Sequence, residues 1–110
     1  MTRPPIGVRM ELQRLLLECS PALEDALVEC LLENDPPLPG FTVQHGDGHG
    51  SDFEHASLRE RVRGRIARSV LSMVLPAERV AEVLAQLRTR LAGADVRWIT
   101  QPVHDHGTLT

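Results

Sequence analysis

Apolar and polar positions alternate along residues 8–19 with the period of an extended chain. Met10, Leu12 and Leu16 fall on one side and Leu15, Leu17 and Cys19 on the other. The second half of this predicted strand is therefore apolar on both faces. Ser20-Pro21 then marks a helix start, a hydroxyl for the N-cap followed by proline at the first helical position. Glu24 and Asp25 come next, near the positive end of that helix's dipole. Leu23, Ala26, Leu27, Cys30 and Leu31 recur at the spacing of one buried stripe, and the proline-rich run at 34–39 ends the helix. Residues 40–44 read as a short strand and residues 62–75 as a long one. On the long strand Arg61, Arg63 and Arg65 lead into a face with Leu71, Met73 and Leu75, while Val62, Ile66, Val70 and Val74 form the other. Pro76 opens a second helix with Val80, Val83, Leu84, Leu87 and Leu91 on its stripe. Arg88 and Arg90 suit its negative end and Gly93 is its C-cap candidate. Residues 95–102 complete the pattern as a last strand, with Trp98 as a packing residue.

The order βαββαβ predicts an α+β, ferredoxin-like fold: a four-stranded antiparallel sheet with two helices on one face. Two helices leave the second face of such a sheet uncovered, yet the first and third strands carry apolar side chains on both sides. The simplest cover for that face is the same face of another copy, so the pattern predicts a homo-oligomer.

Length and composition narrow the picture. The 110 residues make a single domain, with residues 1–7 as a flexible arm and 104–110 as a polar tail. Only three residues are aromatic, so the core is aliphatic. The net charge of -3, with arginine as the only basic side chain apart from histidine, excludes general nucleic-acid binding, which requires a strongly basic face. Cys19 and Cys30 have no zinc-like spacing, no run is long enough for a membrane span, and residues 1–7 lack the apolar stretch of a signal peptide. The expectation is a cytoplasmic protein, not embedded in a membrane, with reduced thiols.

The candidate chemistry gathers between the second and third strands. Residues 45–58 form a glycine-rich polar stretch expected to be a long mobile loop, of the kind that carries function when a rigid scaffold holds its ends. His45, His49 and His55 lie in it with Asp47 between them, and His104 and His106 lie in the tail. Imidazole and carboxylate together suit zinc, copper, nickel or cobalt. The spacing matches no established metal motif, and a solvated polar loop whose histidines bind nothing stands beside the metal reading. Arg61, Arg63 and Arg65 alternate onto one face and form a possible anion site, or else pair with neighbouring acids. Cys19 is either a soft ligand or a core residue. Ser51, Ser57, Asp52 and His55 are close in sequence, but a loose loop provides no preorganised nucleophile or oxyanion hole, so an enzyme is not expected.

Several of these residues carry a resemblance. Cys-Ser-Pro-Ala-Leu-Glu-Asp-Ala-Leu-Val at 19–28, Pro-Gly-Phe at 39–41, Gly-His-Gly at 48–50, Val-Arg-Gly-Arg at 62–65 and Val-Leu-Pro at 74–76 are similar to short PII-like, CutA-like proteins of unknown function. These belong to the PII superfamily, whose mobile loop between the second and third strands is its working end. The resemblance implies a homotrimer, a regulatory or sensor role and, from the frequent neighbourhood of heavy-metal efflux genes, a membrane transporter or efflux component as partner. The alternatives are a nucleotide- or anion-binding PII-like module using the Arg61/Arg63/Arg65 stem and a passive metal-binding or structural trimer; two departures from the PII pattern stand against nucleotide binding. The stretch at 91–96 has one glycine and an aspartate where PII proteins have a glycine-rich turn, and there is no lysine to reach a phosphate.

Overall fold

A computed structural model describes residues 11–50 and 65–110. The chain runs β1 (Leu12–Cys19), α1 (Pro21–Leu32), β2 (Thr42–Gly48), β3 (Ile66–Pro76), α2 (Ala77–Arg90) and β4 (Arg97–Val103). The four strands make one antiparallel sheet in the order β2-β3-β1-β4. This is the expected βαββαβ arrangement, with both edges formed by the strands outside the central β1–β3 pair.

Alternation along that central pair sorts its side chains. Leu15, Leu17 and Cys19 of β1 and Leu71, Met73 and Leu75 of β3 are buried on the helix side. Leu27, Cys30 and Leu31 of α1 and Val80, Val83 and Leu87 of α2 close over them. Both helices thus bury the stripe that their spacing announces. Cys19 and Cys30 are free, buried core thiols. Gly93 takes φ +80 just beyond α2, a conformation in which an L side chain is strained.

The other sheet face meets no helix. Leu16, Val70 and Val74 on it are half-buried, and Ile99, opposite Leu16 in register, is 56% exposed. Arg68 is nonetheless only 7% exposed there, its Nε donating to Glu18 Oε1 at 3.1 Å across the β1–β3 pair. Trp98 faces the helix side opposite Leu17 but is 50% exposed, because β4 is an edge strand that the helices cover only in part.

Two expectations change. β2 does not stop at Gln44: it continues through His45, Gly46 and Asp47 to Gly48, paired with 66–69 of β3. Glycine and aspartate are poor strand formers, but a long β3 already offers its edge, and the ladder it supplies outweighs the propensity. The predicted 45–58 loop therefore yields its first four residues to the sheet, and His45 is a strand residue rather than a loop histidine. Ser20 precedes α1 as expected, yet its side chain makes no cap hydrogen bond; its carbonyl instead accepts from the Leu23 N–H at 3.0 Å. The arm 1–7 and residues 51–58 lie outside the described residues, and the tail 104–110 is exposed without regular structure.

The weight of the core rests on this sheet–helix contact. Leu71→Ala, at a fully buried central position, is expected to lower unfolding stability by about 2–5 kcal/mol in a urea titration. Ile99→Ala in isolated protomers should change it by well under that, since the side chain is more than half exposed.

Candidate functional site

The end of the sheet where β2 gives way to the connection with β3 gathers polar side chains from three elements. Glu24 comes from the first turn of α1, His45 from β2 and Ser69 from β3. His45 and Ser69 are register partners, and Ser69 is in turn the partner of Cys19, so these three share the helix side of the sheet. The buried Ser69 hydroxyl donates to Glu24 Oε1 at 2.7 Å, and His45 Nε2 lies 2.6 Å from the same oxygen. One carboxylate oxygen thus ties the helix start to two adjacent strands. Its orientation is set from the buried side by Ser69, while His45 stays open to solvent, its side chain 68% exposed.

The Glu24 carboxyl is held below the ordinary carboxylate range, first by the Ser69 hydroxyl and then by His45, both of which favour the ionised form. Burial pushes the Cys19 thiol up, against the opposing pull of Arg68. A protonated, fully enclosed thiol is neither a nucleophile nor a ready metal ligand, so of the two readings of Cys19 the core one fits.

Asp47 follows His45 by two positions and so projects from the same side of β2. It pairs with Arg65, the residue just before β3, with Arg65 Nη1 and Asp47 Oδ2 3.6 Å apart and both side chains about half exposed. Of the three stem arginines, Arg65 is the one among the described residues, and its partner is Asp47. His49 directly follows β2. His104 and His106 follow β4 at the opposite edge of the sheet, beyond Val103, whose register partner Leu12 lies at the end far from Gly48. Within one protomer the tail histidines therefore cannot join His45, His49 and Asp47, and the predicted set divides in two. His55, Arg61 and Arg63 lie outside the described residues. Among the described residues no three His, Cys, Asp or Glu side chains stand close enough together to hold an ion; His45 and Glu24 fit as two donors, and a third has to be brought to them.

Two residues of this cluster carried no functional reading from sequence. Glu24 reads there only as a helix-dipole acid. Ser69 did leave a signal: it is the polar position on the face that continues through Leu71, Met73 and Leu75, and a buried hydroxyl in an apolar row requires a partner. Elsewhere, a cleft of about 450 Å³ lies between the C-terminal turn of α1 and α2, floored by Cys30 and Leu87 and flanked by the Arg90–Glu33 pair at 2.7 Å. A smaller, largely apolar cavity of about 160 Å³ sits under the end of α2 beside Trp98. Neither adjoins the Glu24–His45–Ser69 cluster.

Residues 10–110 match the model of a family described as protein of unknown function, DUF3240. The chain belongs to this family. Among solved structures, a DUF3240 family protein from Shewanella baltica OS155 superposes with a TM-score of 0.71 at 22% identity, over 90% of this chain and 97% of that one. CPII, a nitrogen regulatory PII-like protein from Thiomonas intermedia K12 solved with ADP, AMP and bicarbonate, gives 0.64 at 15% identity over 90% and 97%. The PII protein of Arabidopsis thaliana bound to citrate gives 0.61 at 16% over 86% and 79%. No curated protein matches the sequence. The DUF3240 chain therefore has the ferredoxin-like fold of PII-like proteins, and identities this low show the fold alone. Among the described residues no helix is long and apolar enough to cross a membrane.

The lowered Glu24 pKa has a stability consequence of fixed sign. The contribution of this carboxylate is fully present above the ordinary carboxylate pKa and is lost as pH falls through that value to the lower one of the folded state. Urea midpoints measured from about pH 7 to about pH 3 should fall more steeply for the native chain than for Glu24→Gln, with the difference confined to the acid side.

Proposed function

We propose that this DUF3240 protein is a PII-like, homotrimeric regulatory module. Its ligand binds at the β2–β3 end of the sheet, and the connection between those strands carries the signal to a partner such as a membrane efflux component. The ligand is a divalent transition metal, zinc, copper, nickel or cobalt, with His45 as the anchoring donor and His49 and Asp47 beside it. The observation that carries this reading is the tie of His45 and Ser69 to Glu24 at the foot of the connection, in a fold whose solved relatives hold small ligands. A change in what His45 binds is felt at once by α1 and by both strands. The role proposed is regulatory rather than catalytic: the Ser69 hydroxyl is fully buried and so has no open path to a substrate.

Oligomerisation is supported by the uncovered face, where Leu16, Val70 and Val74 are half-buried and Ile99 exposed around the Glu18–Arg68 pair. A second reading, an anion or nucleotide held by the arginine stem, is favoured by the ADP and AMP in the CPII structure and the citrate in the plant PII structure.

Calorimetric titration of the full chain with zinc, copper, nickel and cobalt, and separately with ADP and citrate, decides between the two. Metal binding in the micromolar range or tighter is expected, and it should disappear in His45→Ala/His49→Ala. Heat from ADP or citrate alone would transfer the site to the arginines. Light scattering should report a trimer for the native chain and a smaller species for Leu16→Asp, which places a charge in the apolar face.

A further inference from the structure

The cavity of about 160 Å³ under the end of α2 is lined by apolar side chains from four parts of the fold. Leu17 of β1 and Leu27 of α1 are fully buried there, and α2 adds Leu84 and Leu87. Trp98 of β4 borders it and is still 50% exposed. Among the described residues that line it, Arg88 alone is charged. We propose that this cavity binds a small apolar monocarboxylate of about the size of benzoate. Its hydrocarbon part packs against Leu87 and Trp98, and its carboxylate pairs with Arg88.

Three physical points lead here. The first is size: a cavity of about 150 Å³ lined by aliphatic and aromatic side chains stays dry and takes up one benzene ring. The second is the apolar surface that remains open. Trp98 is half exposed, and Leu84 and Val96 are only partly buried, so a ligand seated among them removes hydrocarbon from water. An aromatic ring also gains an offset or edge contact with the indole. The third is Arg88. It stands four residues after Leu84 and three before Leu91, so its stem runs along the leucine side of α2. Arg90 is engaged with Glu33 at 2.7 Å, whereas among the described residues Arg88 faces no acid. The last carbonyls of α2 make this end of the helix negative, which disfavours a bare anion. A carboxylate is therefore admitted here only because a guanidinium, with its forked donors, receives it.

This site does not adjoin the Glu24–His45–Ser69 cluster and stands apart from the metal reading. Its lining is shared with the core, since Leu17, Leu27 and Leu87 also hold the helices on the sheet. Occupancy therefore stabilises the native chain by mass action. A volume of about 160 Å³ also sets an upper limit on the ligand: one ring and its carboxylate fit, and a nucleotide does not.

Trp98 is the only tryptophan and the chain has no tyrosine, so intrinsic emission reports this cavity alone. Titrating the full chain with benzoate is expected to shift the emission to the blue and to saturate below about 10 mM, a range suited to so small a ligand. The urea midpoint should rise over the same range. Benzyl alcohol, of similar shape without the charge, should bind about threefold more weakly or worse. Arg88→Gln should remove that preference, and Arg90→Gln should keep it. Val96→Phe fills the space from the turn before β4 and should abolish the response. Ala94→Leu does the same from a second lining position, should Val96→Phe fail to fold. ADP should not displace benzoate. An emission change that never saturates is collisional quenching and overturns the site, as does saturable binding undiminished in the folded filling variant. Equal affinity for benzoate and benzyl alcohol, unchanged in Arg88→Gln, overturns the acid as ligand. Displacement by ADP replaces the enclosed cavity with a wider nucleotide cleft and overturns the inference.

Discussion

The antiparallel pairing of β1 with β3 is the contact on which the remaining structure depends. Because side chains alternate with a period of two, one register places Leu15, Leu17, Cys19, Leu71, Met73 and Leu75 together under the helices. A slip by one residue exchanges that whole set for Leu16, Glu18, Val70 and Ser72. The Glu18–Arg68 pair resists such a slip from the other face: it forms only where these two strands stand as they do. With the central pair set, α1 and α2 have one face to cover, β2 must add to the free edge of β3, and β4 to the free edge of β1. The polar cluster at the loop end follows from this. Ser69 lies beside Cys19 at the end of the pair, next to the start of α1, and β2 brings His45 to it from the edge.

Most of this architecture was legible in the sequence. Ser20-Pro21, the two helical stripes and the alternation of 66–76 each report a local property, and each element formed where its pattern stood. What was not legible was decided by partners distant in sequence. The residues 45–48 read as loop because Gly46, Asp47 and Gly48 are poor strand formers, and no local pattern announces that Ile66, Ala67, Arg68 and Ser69 would pair with them. Glu24 read as a helix-dipole acid for the same reason: its bonds go to residues 21 and 45 positions away. His45 and Asp47 were found by residue type alone, and the fold keeps them together; His104 and His106 were found in the same way, and the fold separates them, since β2 and β4 occupy opposite edges.

Fold and function part company at this point. Identities of 22% to a DUF3240 structure and 15% to a PII-like one show how the chain is built and not what it binds, because a shared scaffold hosts different sites. The ligand therefore has to be argued from this chain's own side chains. A phosphate site would have to rely on arginine, the chain having no lysine, and among the described residues Arg65, at the start of β3, already faces an aspartate. For a metal site an imidazole and an oriented carboxylate are in contact, and among the described residues no third donor stands with them. Both readings meet at Asp47, the acid that Arg65 faces beside His45 on β2.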